Sequence, residues 1–208
     1  MTAVADRAVF LDRDGVINAL VADPASGRPE SPYRPEDVSL VPGALEALRL
    51  LRGLGVPLAV VSNQPSAAKG TATLDDLARV HEAVMRLLGE GGVVVDEVRY
   101  CFHHPKGTDP DLGGPCDCRK PLPGLITQAA DALGLDEAAL GRSWLIGDSD
   151  VDVEAGRAAG LHTVLVEEPL SAHRRHGTRA DRTAPDVLEA ARIVAAAVPA
   201  PVSGEEAA

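Results

Sequence analysis

Short apolar runs alternate with amphipathic stretches along most of this chain. Five runs read as strands: residues 8–12, 57–62, 97–102, 143–148 and 163–167. Each centres on a short apolar run, and most are bounded by Gly, Pro, Asp or Asn, the mark of a strand buried in a sheet. The segments between them carry a helical period. Residues 42–54 place Leu45, Leu48 and Leu51 on one face and stop at Gly55. Residues 74–88 group Leu74, Leu77, Val84 and Leu88, and Thr73 followed by Asp76 reads as a capping box at their start. Further helices are predicted over 123–133, 151–159 and 186–197. Strands alternating with helices predict an α/β fold, a central parallel sheet of five strands with helices on both faces.

Two stretches break the alternation. Residues 18–36 hold five prolines and glycines and read as a flap loop; residues 101–121 read as a second loop that contains all three cysteines. The tail, 199–208, is poor in large apolar residues and is expected to be disordered. A single domain over 1–198 is therefore expected, with no internal repeat.

Composition sharpens this picture. With 45% hydrophobic but only 2% aromatic residues, the core must be built from Ala, Val and Leu. The net charge of −11 argues against non-specific nucleic-acid binding, which needs a basic surface, yet leaves room for an anionic substrate in a locally basic cleft. No apolar run approaches a membrane span. The N-terminus lacks a basic region followed by an apolar core, so no signal peptide is read, and a cytoplasmic monomer is expected.

The chemistry gathers at strand ends, where open parallel sheets bind ligands. The first strand ends in Asp12-Arg13-Asp14-Gly15, the second in Ser62-Asn63-Gln64, the fourth in Gly147-Asp148-Ser149-Asp150-Val151-Asp152, and Arg119-Lys120-Pro121 precedes a helix. Buried carboxylates at a strand tip are costly unless a cation meets them. A divalent ion would do so, leaving Asp12 as a nucleophile and Asp14 as an acid/base. Taken singly, Ser62 and Asp148 read as helix caps and Lys120 as a surface charge; their joint placement favours a site. The cysteines form a second cluster. Cys101-Phe102-His103-His104 and Cys116-Asp117-Cys118 offer three thiolates and an imidazole, a full tetrahedral set for structural zinc. A disulfide is disfavoured by the odd count and the cytosolic setting, and three unrelated thiols are the remaining alternative.

These motifs resemble the haloacid dehalogenase superfamily of aspartate-nucleophile phosphatases, with Asp12-Arg13-Asp14-Gly15 similar to its first motif, Ser62 to the second, Lys120 to the third, and Gly147-Asp148 with Asp152 to the fourth. The resemblance implies a Rossmann-like three-layer sandwich in which the first strand lies between the second and fourth. It implies catalytic Asp12, Asp14, Ser62 and Lys120, with Mg²⁺ held by Asp12, Asp148 and the Asp14 backbone carbonyl, and with Asp152 orienting the metal site or Lys120. For Asp14 to start as an acid, its pKa is expected to be raised by burial or nearby carboxylates. The cysteine loop followed by Arg119-Lys120-Pro121 is similar to a capless subfamily containing the heptose bisphosphate and histidinol-phosphate phosphatases. Zinc is then implied at Cys101, Cys116, Cys118 and His103, with His104 as the alternative. The long gap between His103 and Cys116 favours the heptose group and a 7-phosphatase acting on D-glycero-D-manno-heptose 1,7-bisphosphate, a small phosphorylated sugar. The alternatives are histidinol phosphate or another small metabolite, or a silent zinc-stapled binding module.

Substrate contacts are expected from Arg13, Ser62, Asn63, Gln64, Lys69, Arg119 and Lys120, with Lys69 and Arg119 for a second phosphate. The chain departs from the group at Ser62 for threonine, at Pro65-Ser66 for Ser-Gly, at Lys69 for arginine, and at Ser149, where many relatives are basic. The stretch 173–179, His-Arg-Arg-His-Gly-Thr-Arg, reads either as a solvated loop or as a rim that gathers polyanionic substrates.

Overall fold

A computed structural model describes residues 5–23 and 27–198. The predicted disordered tail, 199–208, lies outside the described residues. In chain order the elements are β1 (Val9–Leu11), β2 (Val21–Ala22), β3 (Pro29–Glu30), α1 (Ala44–Arg52), β4 (Leu58–Asn63), α2 (Leu74–Glu90), β5 (Glu97–Cys101), α3 (Gly124–Leu133), α4 (Glu137–Leu140), β6 (Trp144–Gly147), α5 (Asp150–Ala158), β7 (His162–Val166), β8 (Arg182–Ala184) and α6 (Val187–Ala197). Short 3-10 turns cover Pro35–Asp37 and Pro169–Arg174.

The main sheet runs β5-β4-β1-β6-β7-β8, and every neighbouring pair is parallel. β1 is three residues long and wholly buried, because strands flank it on both sides and helices cover both faces. Successive side chains point to opposite faces. Val9 and Leu11 join Leu58, Val60 and Ile146 under α1, α2 and α6. Ala8 and Phe10 join Ala59, Val61 and Leu145 under α3, α4 and α5. Three layers result, cored by Ala, Val, Leu and Ile as the composition requires. Thr73 accepts from the Asp76 N–H and the Asp76 carboxylate accepts from the Thr73 N–H, so the expected capping box opens α2.

The sheet has six strands where five were expected. The sixth, β8, is Arg-Thr-Ala with only Ala184 buried, so no apolar run announces it. It is held by partners that only the fold supplies: Glu167 N–H donates to the Ala184 carbonyl, and the Asp181 carboxylate accepts from both the N–H and the hydroxyl of Thr163. The flap also carries order. β2 and β3 pair antiparallel as a small hairpin beside the main sheet. No helix among the described residues is long and apolar enough to cross a membrane.

Parallel strands with β1 at the centre place the ends of β4, β1 and β6 side by side, which is the geometric requirement for the site. Leu48, fully buried on α1 where the helix meets the sheet, tests how much this packing contributes. Leu48→Ala is expected to cost about 2–5 kcal/mol by cavity formation, read as a lower urea midpoint with an unchanged slope.

Candidate active site

Asp12 leaves β1 with its N–H donated to the Ile146 carbonyl of β6, so the first residue of the turn is still tied to the sheet. The chain then reverses: the Ile17 and Asn18 N–H groups both donate to the Arg13 carbonyl, and Gly15 donates to Asn18. Gly15 sits at φ +84°, and a Cβ there would lie 2.1 Å from Asp148 Oδ2. Only glycine lets the turn reach φ > 0 and approach the next strand end so closely.

Lys120 is the hub of the floor. Its ammonium, almost fully buried, lies 3.0 Å from Asp12 Oδ1 and 2.5 Å from Asp152 Oδ1, and donates to the Val61 carbonyl at 2.7 Å. Burial disfavours its charge, but the two carboxylates outweigh burial and raise its pKa above the usual lysine value. Asn63 clamps the backbone of Lys120 on both sides, its amide donating to the Lys120 carbonyl and its oxygen accepting from the Lys120 N–H, both at 3.0 Å. Asp152 is fixed in turn by the start of α5, where its second oxygen accepts from the Ser149 N–H and hydroxyl.

Asp12, Asp148 and Asp152 each bring a carboxylate oxygen within 4.8 Å of the others. Three carboxylates facing one ammonium leave two negative charges unbalanced. Burial pushes Asp12 up to about 6 despite Lys120, and burial with Asp152 and Asp12 pushes Asp148 well above the carboxylate range. Both oxygens of Asp148 are buried and have no hydrogen-bond partner. Buried polar atoms are rarely left so. A hard divalent cation with oxygen ligands fits this donor set and this charge deficit.

Asp14 departs from expectation. Burial raises its pKa, but Arg13, Asn18 and Gln64 more than reverse this, and the carboxyl sits below its ordinary value. The Arg13 guanidinium donates to both oxygens, Asn18 Nδ2 to one and Gln64 Nε2 to the other. The raised pKa expected of an initial acid is therefore corrected: four local donors stabilise the ionised form. Arg13 and Gln64 were also expected to contact substrate. They do not line the cleft; both are buried beneath it and bonded to each other and to Asp14. Arg13 further stacks over Tyr100, 5.4 Å from the ring centre. A charged side chain flanked by two aspartates gives no local sign of which way it will turn.

Above this floor opens a cleft of about 600 Å³, lined by Asp12, Asp14, Ser62, Asn63, Lys69, Arg119 and Lys120 of the expected residues. Sequence reasoning did not single out Glu30 and Ser31 from the flap, or Asp150, Val151 and Glu154 from α5. Their only local signal was proximity to a loop or strand end. The basic stretch also reaches the cleft through His173, Arg174, His176 and Thr178, which favours the rim reading over the solvated loop.

The cysteine loop lies beside the cleft. Sulfur–sulfur distances among Cys101, Cys116 and Cys118 are 3.0, 3.5 and 3.7 Å, and His103 Nδ1 lies 3.5 Å from the Cys118 sulfur. All four ligand atoms fall within 4.8 Å of one another. Metal–sulfur bonds of about 2.3 Å in a tetrahedron require sulfurs about 3.8 Å apart, so the cluster fits a zinc-sized ion. A single disulfide would leave the third sulfur unexplained. His103 supplies the nitrogen; His104 Nδ1 instead accepts from the Lys106 N–H. The loop also orients the cleft, because Arg119 donates to the His103 carbonyl and Lys120 lies two residues after Cys118.

Fold and site together define a hydrolase of the haloacid dehalogenase type. Residues 117–190 match a HAD-hydrolase-like family model. A D-glycero-beta-D-manno-heptose-1,7-bisphosphate 7-phosphatase of Yersinia pestis is 35% identical over 79% of this chain and 84% of its own length. The corresponding protein of Rhodopseudomonas palustris is 39% identical over 77% of this chain and 84% of its own. The crystal structure of D,D-heptose 1,7-bisphosphate phosphatase from B. bronchiseptica, complexed with magnesium and phosphate, superposes with a TM-score of 0.74 at 27% identity, covering 90% of this chain and 97% of that one. The chain belongs to the family of heptose 1,7-bisphosphate 7-phosphatases within the HAD-like phosphatases.

Lys120→Met leaves Asp12 and Asp152 buried without their cation. Breaking a buried pair in this way is expected to cost about 3–5 kcal/mol, measured by urea denaturation at neutral pH beside the unaltered protein.

Proposed function

We propose that this chain is a Mg²⁺-dependent phosphatase that removes the 7-phosphate of D-glycero-D-manno-heptose 1,7-bisphosphate, with Asp12 as nucleophile. The observation that carries the chemistry is the buried carboxylate of Asp12 on the cleft floor, flanked by Lys120 and the unpartnered Asp148. The substrate follows from the curated relatives, which are named for that reaction and align over most of both chains.

Asp12 Oδ1 is held by the Arg13 N–H and Lys120, and its second oxygen is the proposed attacking atom. Attack forms an aspartyl-phosphate as the bond from phosphorus to the sugar oxygen breaks. Asp14 is the proposed carrier of protons, giving one to the departing alkoxide and then taking one from the water that hydrolyses the intermediate. Its ionised form beside Arg13 suits the second half of that cycle. Ser62 and Lys120 are proposed to hold the phosphoryl oxygens, since this transfer depends mainly on positioning and charge stabilisation. Asp12, Asp148 and the Asp14 backbone carbonyl would hold Mg²⁺, which when bound offsets the repulsion between carboxylate and phosphate. Asp152 serves by orienting Lys120. Lys69 and Arg119 are proposed to meet the second phosphate, with Asn63 acting on Lys120 from the same side. Cys101, His103, Cys116 and Cys118 would hold a structural Zn²⁺, closing a loop that has little apolar packing of its own. The proposed setting is the cytoplasm, where thiols stay reduced, and the proposed working form is a monomer.

Asp12→Asn is expected to lower kcat by about 10⁴-fold or more with the circular dichroism spectrum unchanged; turnover near the original rate would remove Asp12 from the role. In a steady-state comparison with Mg²⁺, kcat/KM for the heptose bisphosphate should exceed that for histidinol phosphate by about a hundredfold. An equal or reversed ratio would reassign the substrate. Elemental analysis of protein purified without chelator should find about one zinc per chain, and Cys118→Ser should lower that content together with thermal stability.

A further inference from the structure

The basic stretch after β7 is built onto the turn that carries Asp148. The Ser171 hydroxyl and the Arg175 guanidinium both donate to the Asp148 carbonyl, at 3.1 and 3.3 Å. The same guanidinium donates to the Glu168 carbonyl and to Ser171. One residue on, the His176 N–H donates to the Asp150 carboxylate at 2.5 Å, and the Thr178 hydroxyl to Glu154 at 3.2 Å. Three side chains of the stretch, the His176 backbone N–H and two α5 carboxylates therefore hold residues 168–178 in one place. A loop that merely solvated its charges would need none of these bonds.

What this anchoring presents to the cleft is Arg174, with His176 beside it. Arg174 is only about a quarter exposed and lies 3.7 Å from Glu30, with one hydrogen bond to the Pro29 carbonyl. A guanidinium has five N–H donors, so most remain for a ligand. His173 contributes differently: its Nδ1 donates to the Leu170 carbonyl, which leaves only Nε2 for the cleft. The sheet order fixes the direction. Asp12 ends the central strand; Ser62, Lys69 and Arg119 lie on the β4 and β5 side of it, whereas residues 173–178 follow β7 on the other. Cations thus flank the reacting position from both sides of β1.

We propose that Arg174, supported by His176, is a specificity-determining contact for the non-reacting phosphate of a bisphosphate substrate, closing on it from the β7 side of the cleft while Lys69 and Arg119 face it from the β4 side. This rests on the reading of the cleft as a sugar-bisphosphate site. Glu30, drawn from the flap, keeps Arg174 aimed when the cleft is empty; a phosphate dianion is the stronger partner because it offers bidentate, doubly charged acceptors.

The test uses two probes that differ by one phosphate, fructose 1,6-bisphosphate and fructose 6-phosphate, as competitors of p-nitrophenyl phosphate hydrolysis by the Mg²⁺-loaded protein. The unaltered chain should bind the bisphosphate about tenfold or more tightly than the monophosphate, and Arg174→Gln should remove most of that preference. Arg174→Lys should restore part of it, since charge returns without the fork. Arg179→Gln, in the same stretch but outside the cleft, should leave the preference as it was. No preference in the unaltered chain, or a preference that survives Arg174→Gln, overturns the proposal. A preference that disappears with Arg174 while the heptose bisphosphate proves a poor substrate would instead reject the heptose assignment and keep the contact.

Discussion

The buried ammonium of Lys120 between Asp12 and Asp152 is the interaction on which the rest of the site depends. Taking three charges out of water is costly, and it is sustained only where geometry and further hydrogen bonds satisfy each group. Each partner here is fixed from another element. Asp12 is tied to β6 through its N–H, Asp152 is locked into the capping box of α5, and Lys120 is held at its backbone by Asn63 and at its tip by the Val61 carbonyl. Loss of any one contact would misplace a buried charge.

The same constraint explains the loop that precedes Lys120. A lysine whose ammonium must reach β1 from outside the sheet needs its main chain held still, and residues 101–121 have few apolar side chains to do this. Cys101 anchors the loop at the buried end of β5, and Cys116 and Cys118 return it to that point just before Arg119 and Lys120. A metal-sized cluster therefore stands where a hydrophobic core would otherwise be needed. On the opposite side of β1 the unpartnered oxygens of Asp148 leave the floor short of positive charge, so a cation belongs to the completed site rather than being an addition to it.

Asp14 shows how a neighbour decides the chemistry of a residue. Two buried carboxylates, Asp12 and Asp14, leave the same strand, yet burial lifts Asp12 to about 6 and Arg13 draws Asp14 below its ordinary value. The difference lies in where one guanidinium turns. Arg13 folds under the turn to Gln64 and Tyr100 and is withdrawn from the cleft altogether.

Much of this was legible in the amino-acid order. Alternating apolar runs and helical periods are local signals, so five of the six main-sheet strands and five of the six helices among the described residues follow from spacing, while the four-residue α4 is too short to show a period. The Asp12, Ser62, Lys120 and Asp148 set and the three cysteines with an adjacent histidine pair are likewise marked by residue type at strand ends and by close spacing; which histidine joins the cysteines was decided by the fold. The remainder depended on contacts between distant segments. β8 exists because Asp181 and β7 offer partners to a polar tripeptide. Arg13 and Gln64 left the cleft because Asp14 gave them a buried acceptor. Arg174 entered it because Ser171, Arg175 and His176 bind the turn at Asp148 and Asp150. A sequence records which side chains can pair; the direction in which a charged side chain points is set by partners that only folding brings within reach.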